Sequence, residues 1–347
     1  MTRRLPRGRA RHLSPGLPGE PASTIVSVDR PLANRRVLVT GGAGFLGKAV
    51  CARLDAAGAA EVTVVRQRDF DLTQRDDVAK LFAGADPDIV IHLAARVGGI
   101  GANMERPAEL YLANLLMGTY VIEEARARSV DKTVLLGTIC AYPNLTPVPF
   151  RESSLWDGYP EVTNAPYGVA KKALLVHAQS NRAQFGQNLI YLLPTNLYGP
   201  GDKFNPAVSH VIPALVKKCV DAVEQGAGTV EVWGTGKATR EFLHVDDAAR
   251  AIMLAAECYD DPEPVNLGSS EEMSIRALAE LIARLTGFDG RLVGNPDRPD
   301  GQPRRKLDTS RADAAFGFRA EVALVDGLTE TIDWYRRHRE EAEAATL

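Results

Sequence analysis

Short β-branched runs recur along the first two-thirds of the chain, and between them apolar residues return every three or four positions. Val37-Leu38-Val39-Thr40, Glu61 to Val65, Asp88 to Leu93, Thr133 to Leu136 and Leu189 to Leu193 have the length and composition of strands. The stretches between them read as helices: one reaches about Ala57, one covers 107–128, and one covers 166–184. In 107–128, Leu110, Ala113, Asn114, Met117 and Val121 fall at helical spacing. Strands alternating with helices predict an α/β protein with a parallel sheet covered on both faces and ligands at the carboxyl ends of the strands.

The turn after the first strand sharpens this. Gly41-Gly42-Ala43-Gly44-Phe45-Leu46-Gly47 joins a strand directly to a helix. Gly41 permits the tight turn, Gly44 lets a pyrophosphate approach backbone N–H groups, and Gly47 lets the helix pack on the strand, with Phe45 and Leu46 opening the helix beside the phosphates. The fold class is therefore a Rossmann-type, doubly wound parallel sheet that binds a dinucleotide. At the end of the second strand stand Arg66 and Arg68, where an acidic residue would favour NAD; arginine suits the 2′-phosphate of NADP. After the third strand Ala94 and Ala95 are small enough for a cofactor to lie against the backbone, and His92 within that strand reads as a packed histidine.

Beyond residue 200 the rhythm loosens. A helix is expected from about Asp246, which is placed to cap it, to Cys258. Val265 to Gly268 reads as a last short strand, and Ser274 caps a helix to about Thr286. An arginine-bearing loop, 299–306, precedes a terminal helix. The expected organisation is a basic arm over 1–34 and an NADP-binding domain over 35–200 with returning segments at about 241–268. A smaller C-terminal α/β substrate-binding domain takes 201–240 and 269–320, and a closing helix takes 321–347.

Composition removes several function classes. The 347 residues are 45% hydrophobic, enough for a full core, and 41 Lys plus Arg against 44 Asp plus Glu leave a net charge of -3. No global charge favours nucleic acid or an anionic membrane. The arm, with Arg3, Arg4, Arg7, Arg9 and Arg11 among Pro, Gly and Ser, reads as disordered, and its Arg-Arg pair lacks the apolar run of ~7–15 residues that an export signal needs. No stretch supplies the ~18 continuous apolar residues of a membrane span. The four cysteines show no metal or CxxC spacing and the six histidines no HExxH, so no metal and reduced thiols in the cytoplasm are expected.

The candidate chemistry centres on Tyr167 and Lys171, four residues apart where a helix begins and therefore on one face. An ammonium beside a phenol stabilises the phenolate, bringing a group that ordinarily titrates near ~10 toward neutrality for exchange with a carbonyl or alcohol oxygen. The fourth strand ends in Gly137-Thr138-Ile139-Cys140, which puts the Thr138 hydroxyl at the same oxygen and the Cys140 thiol one alternation further on. From spacing alone Cys140 reads as a small buried residue and His210 as a structural histidine.

Glycine turn, strand-end hydroxyl and Tyr-x-x-x-Lys in this order resemble the extended short-chain dehydrogenases/reductases. Within them the chain resembles the GDP-L-fucose synthase family over roughly 35–340. The motifs that carry this are His92 to Ile100, the Pro143 segment after Cys140, Pro194 to Pro200, Ser209-His210-Val211-Ile212-Pro213 and Trp233 to Asp247. The resemblance implies 3,5-epimerisation of GDP-4-keto-6-deoxy-D-mannose followed by reduction at C4 with NADPH. It implies that Tyr167 protonates the C4 oxygen, Thr138 hydrogen-bonds it, Lys171 lowers the phenol's pKa and holds the nicotinamide ribose, and Cys140 and His210 are the epimerising pair. By the same resemblance Pro194, Asn196 and Leu197 are expected to border the cofactor, Asn196 also facing the substrate. Lys218, Trp233, Arg240, Arg305 and Lys306 are the candidates for the GDP-sugar, since cations neutralise a diphosphate and an indole offers a flat surface. A homodimer through helices 107–128 and 166–184 is also implied.

Alternatives on the same fold are a 4,6-dehydratase, a nucleotide-sugar epimerase without net reduction, and a reductase of a related GDP-keto sugar. A dehydratase is expected to follow Thr138 with Asp-Glu; here Ile139-Cys140 follows. A catalytically silent NADP-binding protein typically lacks the tyrosine or the lysine, and both are present.

Overall fold

The computed structural model describes residues 32–98, 100–298 and 300–344. The basic arm up to residue 31 lies outside the described residues, as do positions 99 and 299 of the motifs above. The arm's expected last residues are not loose: Leu32 is wholly buried in the core and Asn34 donates its N–H to the Gly58 carbonyl.

The first half alternates as expected. It runs β1 (Arg36–Thr40), α1 (Phe45–Ala56), β2 (Glu61–Val65), α2 (Arg75–Ala85), β3 (Ile89–His92), α3 (Ile100–Glu105), α4 (Pro107–Ala127), β4 (Lys132–Leu136), α5 (Ala165–Phe185) and β5 (Leu189–Pro194). Pro at the first turn of α4 and α5 costs no hydrogen bond there and pre-sets the helical φ. Gly186 ends α5 in the left-handed region at φ 70°.

Then follow β6 (Asn196–Tyr198), α6 (Val211–Gln225), β7 (Thr229–Trp233), β8 (Thr239–His244), α7 (Val245–Cys258) and β9 (Val265–Leu267). The strand at 265–267 is not the last, because β10 (Glu272–Ser274), β11 (Arg291–Asn295) and β12 (Arg304–Arg305) come after it, separated by α8 (Ile275–Thr286). These strands are two to five residues long and mostly polar, too brief to show a period. The chain closes with α9 (Ser310–Phe316), α10 (Leu324–Arg337) and α11 (Arg339–Ala344). A single terminal helix is expected from sequence; instead the backbone breaks at His338, whose ring stacks on Trp334 and bonds its carbonyl oxygen.

Six parallel strands form the main sheet in the order β2-β1-β3-β4-β5-β9. Alternate side chains serve opposite faces. Val37 and Val39 enter a core with α1 and α7, while Leu38 enters another with α2 and α4. From β1 the chain steps out to β2, then returns to β3 on the other side, and this reversal opens a crevice at the carboxyl ends of β1 and β3.

A second core gathers Leu215 and Val216 of α6, Val232 of β7, Leu278 and Ile282 of α8 and Ile332 of α10. Around it β8 pairs with β6, β10 and β12, and β7 with β11. The expected cap of α7 is corrected. The helix starts directly where β8 ends, so the capping position falls on His244, whose Nδ1 accepts from the Asp246 N–H. Asp246 lies inside the first turn, where its charge still favours the helix dipole. Ser274 caps α8 through the Ala277 N–H, as expected. Among the described residues no helix is long and apolar enough to cross a membrane.

Candidate active site

A cavity of about 1010 Å3 runs along the carboxyl ends of the sheet strands and under α6 as far as Trp233. Its first section is made of backbone. Gly41 adopts φ 76°, and a Cβ there would lie 2.8 Å from the Ala94 nitrogen; a Cβ on Gly47 would run into the Gly41 carbonyl. Gly44 is the N-cap of α1 with no side chain to cap it, so the first-turn N–H groups are free for an anion. A dinucleotide pyrophosphate fits this cradle. Phe45, Leu46, Ala94, Ala95, Pro194, Asn196 and Leu197 line the same section.

Of the two arginines after β2, only Arg66 lines the cavity; Arg68 is turned to solvent beside Asp69, 3.6 Å away. The nearby Asp71 lines it too, but its carboxylate accepts from the N–H and hydroxyl of Thr73 and is held below its usual range by those bonds. Arg66 is thus left as the charge facing the end of β2.

Beside the ends of β4 and β5, the first turn of α5 brings Tyr167 and Lys171 onto one buried face. Lys171 donates its Nζ to the Leu136 carbonyl at 2.9 Å, 5.9 Å from the phenol ring centre, and burial pushes its pKa down to about 8. The expectation that lysine lowers the phenol's pKa is not met in this geometry. Burial, then the nearby Cys140, push Tyr167 well above its ordinary value, with the neighbouring Thr138 hydroxyl pulling the other way. His92 is packed as expected, its Nδ1 2.7 Å from the Thr40 hydroxyl.

Cys140 lies on a single 3₁₀ turn, Ile139–Ala141, whose first N–H groups are capped by Thr138: the Cys140 N–H donates to Thr138 Oγ1 at 3.2 Å. Gly168 lets α5 press against that turn, since any Cβ there would collide with the Cys140 carbonyl. The sulfur is set between two side chains, Asn164 Oδ1 at 3.8 Å and Arg305 Nη1 at 3.6 Å. Asn164 is oriented in turn by Asn103 of α3 at 3.0 Å and by Glu161 at 2.6 Å. Sequence reasoning did not single out Asn103 or α3, because their contact joins segments 61 residues apart with no local signature, nor Glu161, whose carboxylate acts on Asn164 from three residues away.

Across the cavity His210 is the N-cap of α6, an amphipathic helix with Pro213 in its first turn that the sequence reading left unassigned. The His210 ring is open to the cavity, yet the surrounding walls, and then the Lys203 charge, hold its pKa below the ordinary value. Asp202, also missed, is buried in the loop after β6 and lines the same cavity; Oδ1 accepts from the Lys203 N–H at 2.7 Å, Oδ2 has no partner, and burial pushes the carboxyl up to about 7.

At the far end Trp233 presents a half-exposed indole, with Arg298 4.8 Å and Lys218 5.7 Å from its centre. Arg240 is buried and donates to the carbonyls of Thr239 and Asp300 at 2.7 and 3.1 Å; burial, then the adjacent Arg305, lower it to about 10. Lys306 does not line the cavity. It alternates with Arg305 along one extended segment, so when Arg305 faces in, Lys306 faces away, its backbone carbonyl accepting from Phe150.

Thr138, Cys140, Tyr167, Lys171 and His210 therefore share one cavity with the glycine cradle, and Lys218, Trp233, Arg240 and Arg305 join them, while Arg68 and Lys306 do not. The profile of the NAD dependent epimerase/dehydratase family matches residues 37–268. The chain is 43% identical over 301 residues to a probable GDP-L-fucose synthase 1 of Oryza sativa subsp. japonica, covering 86% of this chain and 92% of that one. It is 42% identical over 303 residues to GDP-L-fucose synthase 1 of Arabidopsis thaliana, covering 87% and 94%. The crystal structure of a GDP-L-fucose synthetase from Naegleria fowleri bound to NADP superposes with a TM-score of 0.81 at 29% identity, over 90% of this chain and 97% of that one. Cradle, Tyr-Lys pair and extent of similarity together assign the chain to the NAD dependent epimerase/dehydratase family and, within it, to the GDP-L-fucose synthases.

Proposed function

We propose that the protein converts a GDP-4-keto-6-deoxyhexose by 3,5-epimerisation and NADPH-dependent reduction at C4. The observation that carries this reading is that a thiol, an imidazole, a phenol and a lysine line one cavity with the dinucleotide cradle. Gly41, Gly44, Gly47 and Arg66 would hold NADP(H), with Ala94, Ala95, Pro194, Asn196 and Leu197 against it and Lys171 at its ribose. When bound, NADPH supplies the hydride for C4.

The residues then divide the work. A proton on a carbon next to a ketone is acidic because the electron pair it leaves moves onto the ketone oxygen. Cys140 takes that proton from C3 or C5 and His210 returns one to the opposite face. Tyr167 and Thr138 donate to the C4 oxygen while it carries the charge. In reduction the same Tyr167 gives its proton to that oxygen. A phenol held above its ordinary value suits a donor, because it stays protonated until the oxygen becomes basic. Trp233 offers a face to the base, and Lys218 and Arg240 offer charge to the diphosphate.

A homodimer through α4 and α5 is supported by exposed apolar side chains on that face, Leu112 at 53% and Val176 at 47% exposure among them; light scattering of the native protein and of Val176→Glu tests it. Four unpaired thiols, Cys258 exposed, accord with a reducing cytoplasm. The activity itself is tested by mixing the protein with NADPH and GDP-4-keto-6-deoxy-D-mannose in deuterated water. Loss of nicotinamide absorbance with deuterium at C3 and C5 is expected. Deuterium without oxidation would leave an epimerase only, and neither would remove the proposed substrate.

A further inference from the structure

An ordinary thiol loses its proton near pH ~8.5 and is a poor base while it keeps it. If Cys140 removes a carbon-bound proton, the protein must supply something that holds the sulfur as thiolate. We infer that Arg305 is that group: a positioning residue whose guanidinium holds the Cys140 thiolate, rather than one that binds the substrate diphosphate. This rests on the proposed role of Cys140.

The side chain is built for one direction. Arg305 is 7% exposed. Its Nε donates to Gln302 Oε1 at 2.8 Å, and Gln302 is itself fixed by donating Nε2 to the Asn144 carbonyl at 2.8 Å, so the amide oxygen faces the arginine. The backbone is held as well: Arg305 pairs with Arg240 across β12 and β8, and Phe150 bonds on both sides of Leu307. With Nε occupied, Nη1 lies 3.6 Å from the sulfur. A guanidinium donates and cannot accept, so it favours the thiolate over the thiol.

The other side of the sulfur sets where the hydrogen lies: an acceptor there favours the thiol, so the guanidinium is what tips the balance toward thiolate. Asn164 Oδ1 accepts the thiol proton, and Asn103 keeps that oxygen, not the amide nitrogen, turned toward it. The thiol hydrogen thus points at Asn164 while a lone pair faces Arg305; on ionisation the proton leaves to solvent in the cavity and the negative charge faces the cation. Other ionisable groups that face this centre are Arg240 from β8, which adds positive charge, Glu161 before α5, already occupied by Thr163 and Asn164, and Tyr167 from α5. Arg240, which is directed to Asp300, is left for the diphosphate.

The test is the pH dependence of iodoacetamide alkylation at Cys140, read by peptide mass spectrometry in the intact protein with exposed Cys258 as the reference. In the native protein Cys140 should react with a midpoint below that of Cys258. In Arg305→Gln the Cys140 midpoint should rise by about one unit and the rate at neutral pH fall roughly tenfold. Arg305→Lys should recover part of this, with Cys258 unmoved throughout. Deuterium entry at C3 and C5 should fall with the alkylation rate while KM for the GDP-sugar stays within about threefold. Equal midpoints for the two cysteines in the native protein would overturn the inference. So would an unshifted Cys140 profile in Arg305→Gln, or a large rise in KM without loss of exchange. A native protein with the low Cys140 midpoint but no deuterium entry would leave the Arg305–Cys140 coupling standing and remove the epimerase reading instead.

Discussion

The two ends of the cavity are built by different means. The cradle after β1 is one contiguous heptapeptide that acts through its backbone: Gly41 turns, Gly44 leaves N–H groups bare, and Gly47 admits the carbonyl of Gly41. The wall around Cys140 acts through side chains. Its pieces come from α3, the turn after β4, the segment before α5 and the strand β12, brought together across long stretches of sequence and held by side-chain bonds both near and distant in the chain. A backbone device survives most changes of side chain and fails when a Cβ is added. A side-chain device fails with the loss of a single polar atom, and each part of it can be removed separately.

The largest effect should come from the side-chain end. Tyr167→Phe removes the proposed donor to the C4 oxygen, and reduction should fall roughly 100- to 10,000-fold. NADPH affinity, followed by nicotinamide fluorescence, should be unchanged; a matching loss of affinity would mean that the two ends are not separable. Gly47→Ala is the converse, with its Cβ in the Gly41 carbonyl. NADPH affinity should drop at least about tenfold and stability by ~1–3 kcal/mol in a denaturant titration, while Cys140 alkylation keeps its pH profile.

Lys171 contrasts with both, because it is placed for function at the expense of stability. Its pKa falls on folding from 10.5 to about 8. Below pH 8 it is charged in both states, and the folded state bears the full cost of burying that charge. Between about 8 and 10.5 the unfolded chain binds more protons than the folded one, so stability contributed by this group rises with pH across that window and is level above it. Lys171→Met should therefore stabilise the cofactor-free protein by up to ~3 kcal/mol at pH 7, with the gain shrinking from pH 8 to 10.5, while reduction is lost. Thermal melts at three pH values check the sign. The smallest effect concerns the arginines after β2. Arg66→Ala should reduce the preference for NADPH over NADH roughly tenfold, and Arg68→Ala should leave it within about twofold.

What was legible in the sequence divides along the same line. The strands of the main sheet, the glycine cradle and the Ser274 cap are local, and each depends on residues within a turn or two of one another. The α7 cap was misread because Asp246 is the commoner capping residue, whereas the end of β8 places His244 at the position itself. Lys306 and Arg305 look alike in the chain, and only the alternation of an extended segment separates them. Asn103, Gln302 and Asp202 matter through contacts with residues tens of positions away or through burial, neither of which leaves a pattern. The phenol of Tyr167 is expected from sequence to be acidified by Lys171, but burial, then Cys140, raise it, and burial lowers Lys171.

The proposed division of work within one cavity gives proton removal to Cys140 and reduction to Tyr167. It is tested most directly by giving Cys140→Ser NADPH and GDP-4-keto-6-deoxy-D-mannose in deuterated water, with product NMR beside the native protein. Deuterium entry at C3 and C5 should fall at least about a hundredfold while nicotinamide oxidation continues on the unepimerised ketone. Deuterium entering the Cys140→Ser reaction at the native rate would contradict it.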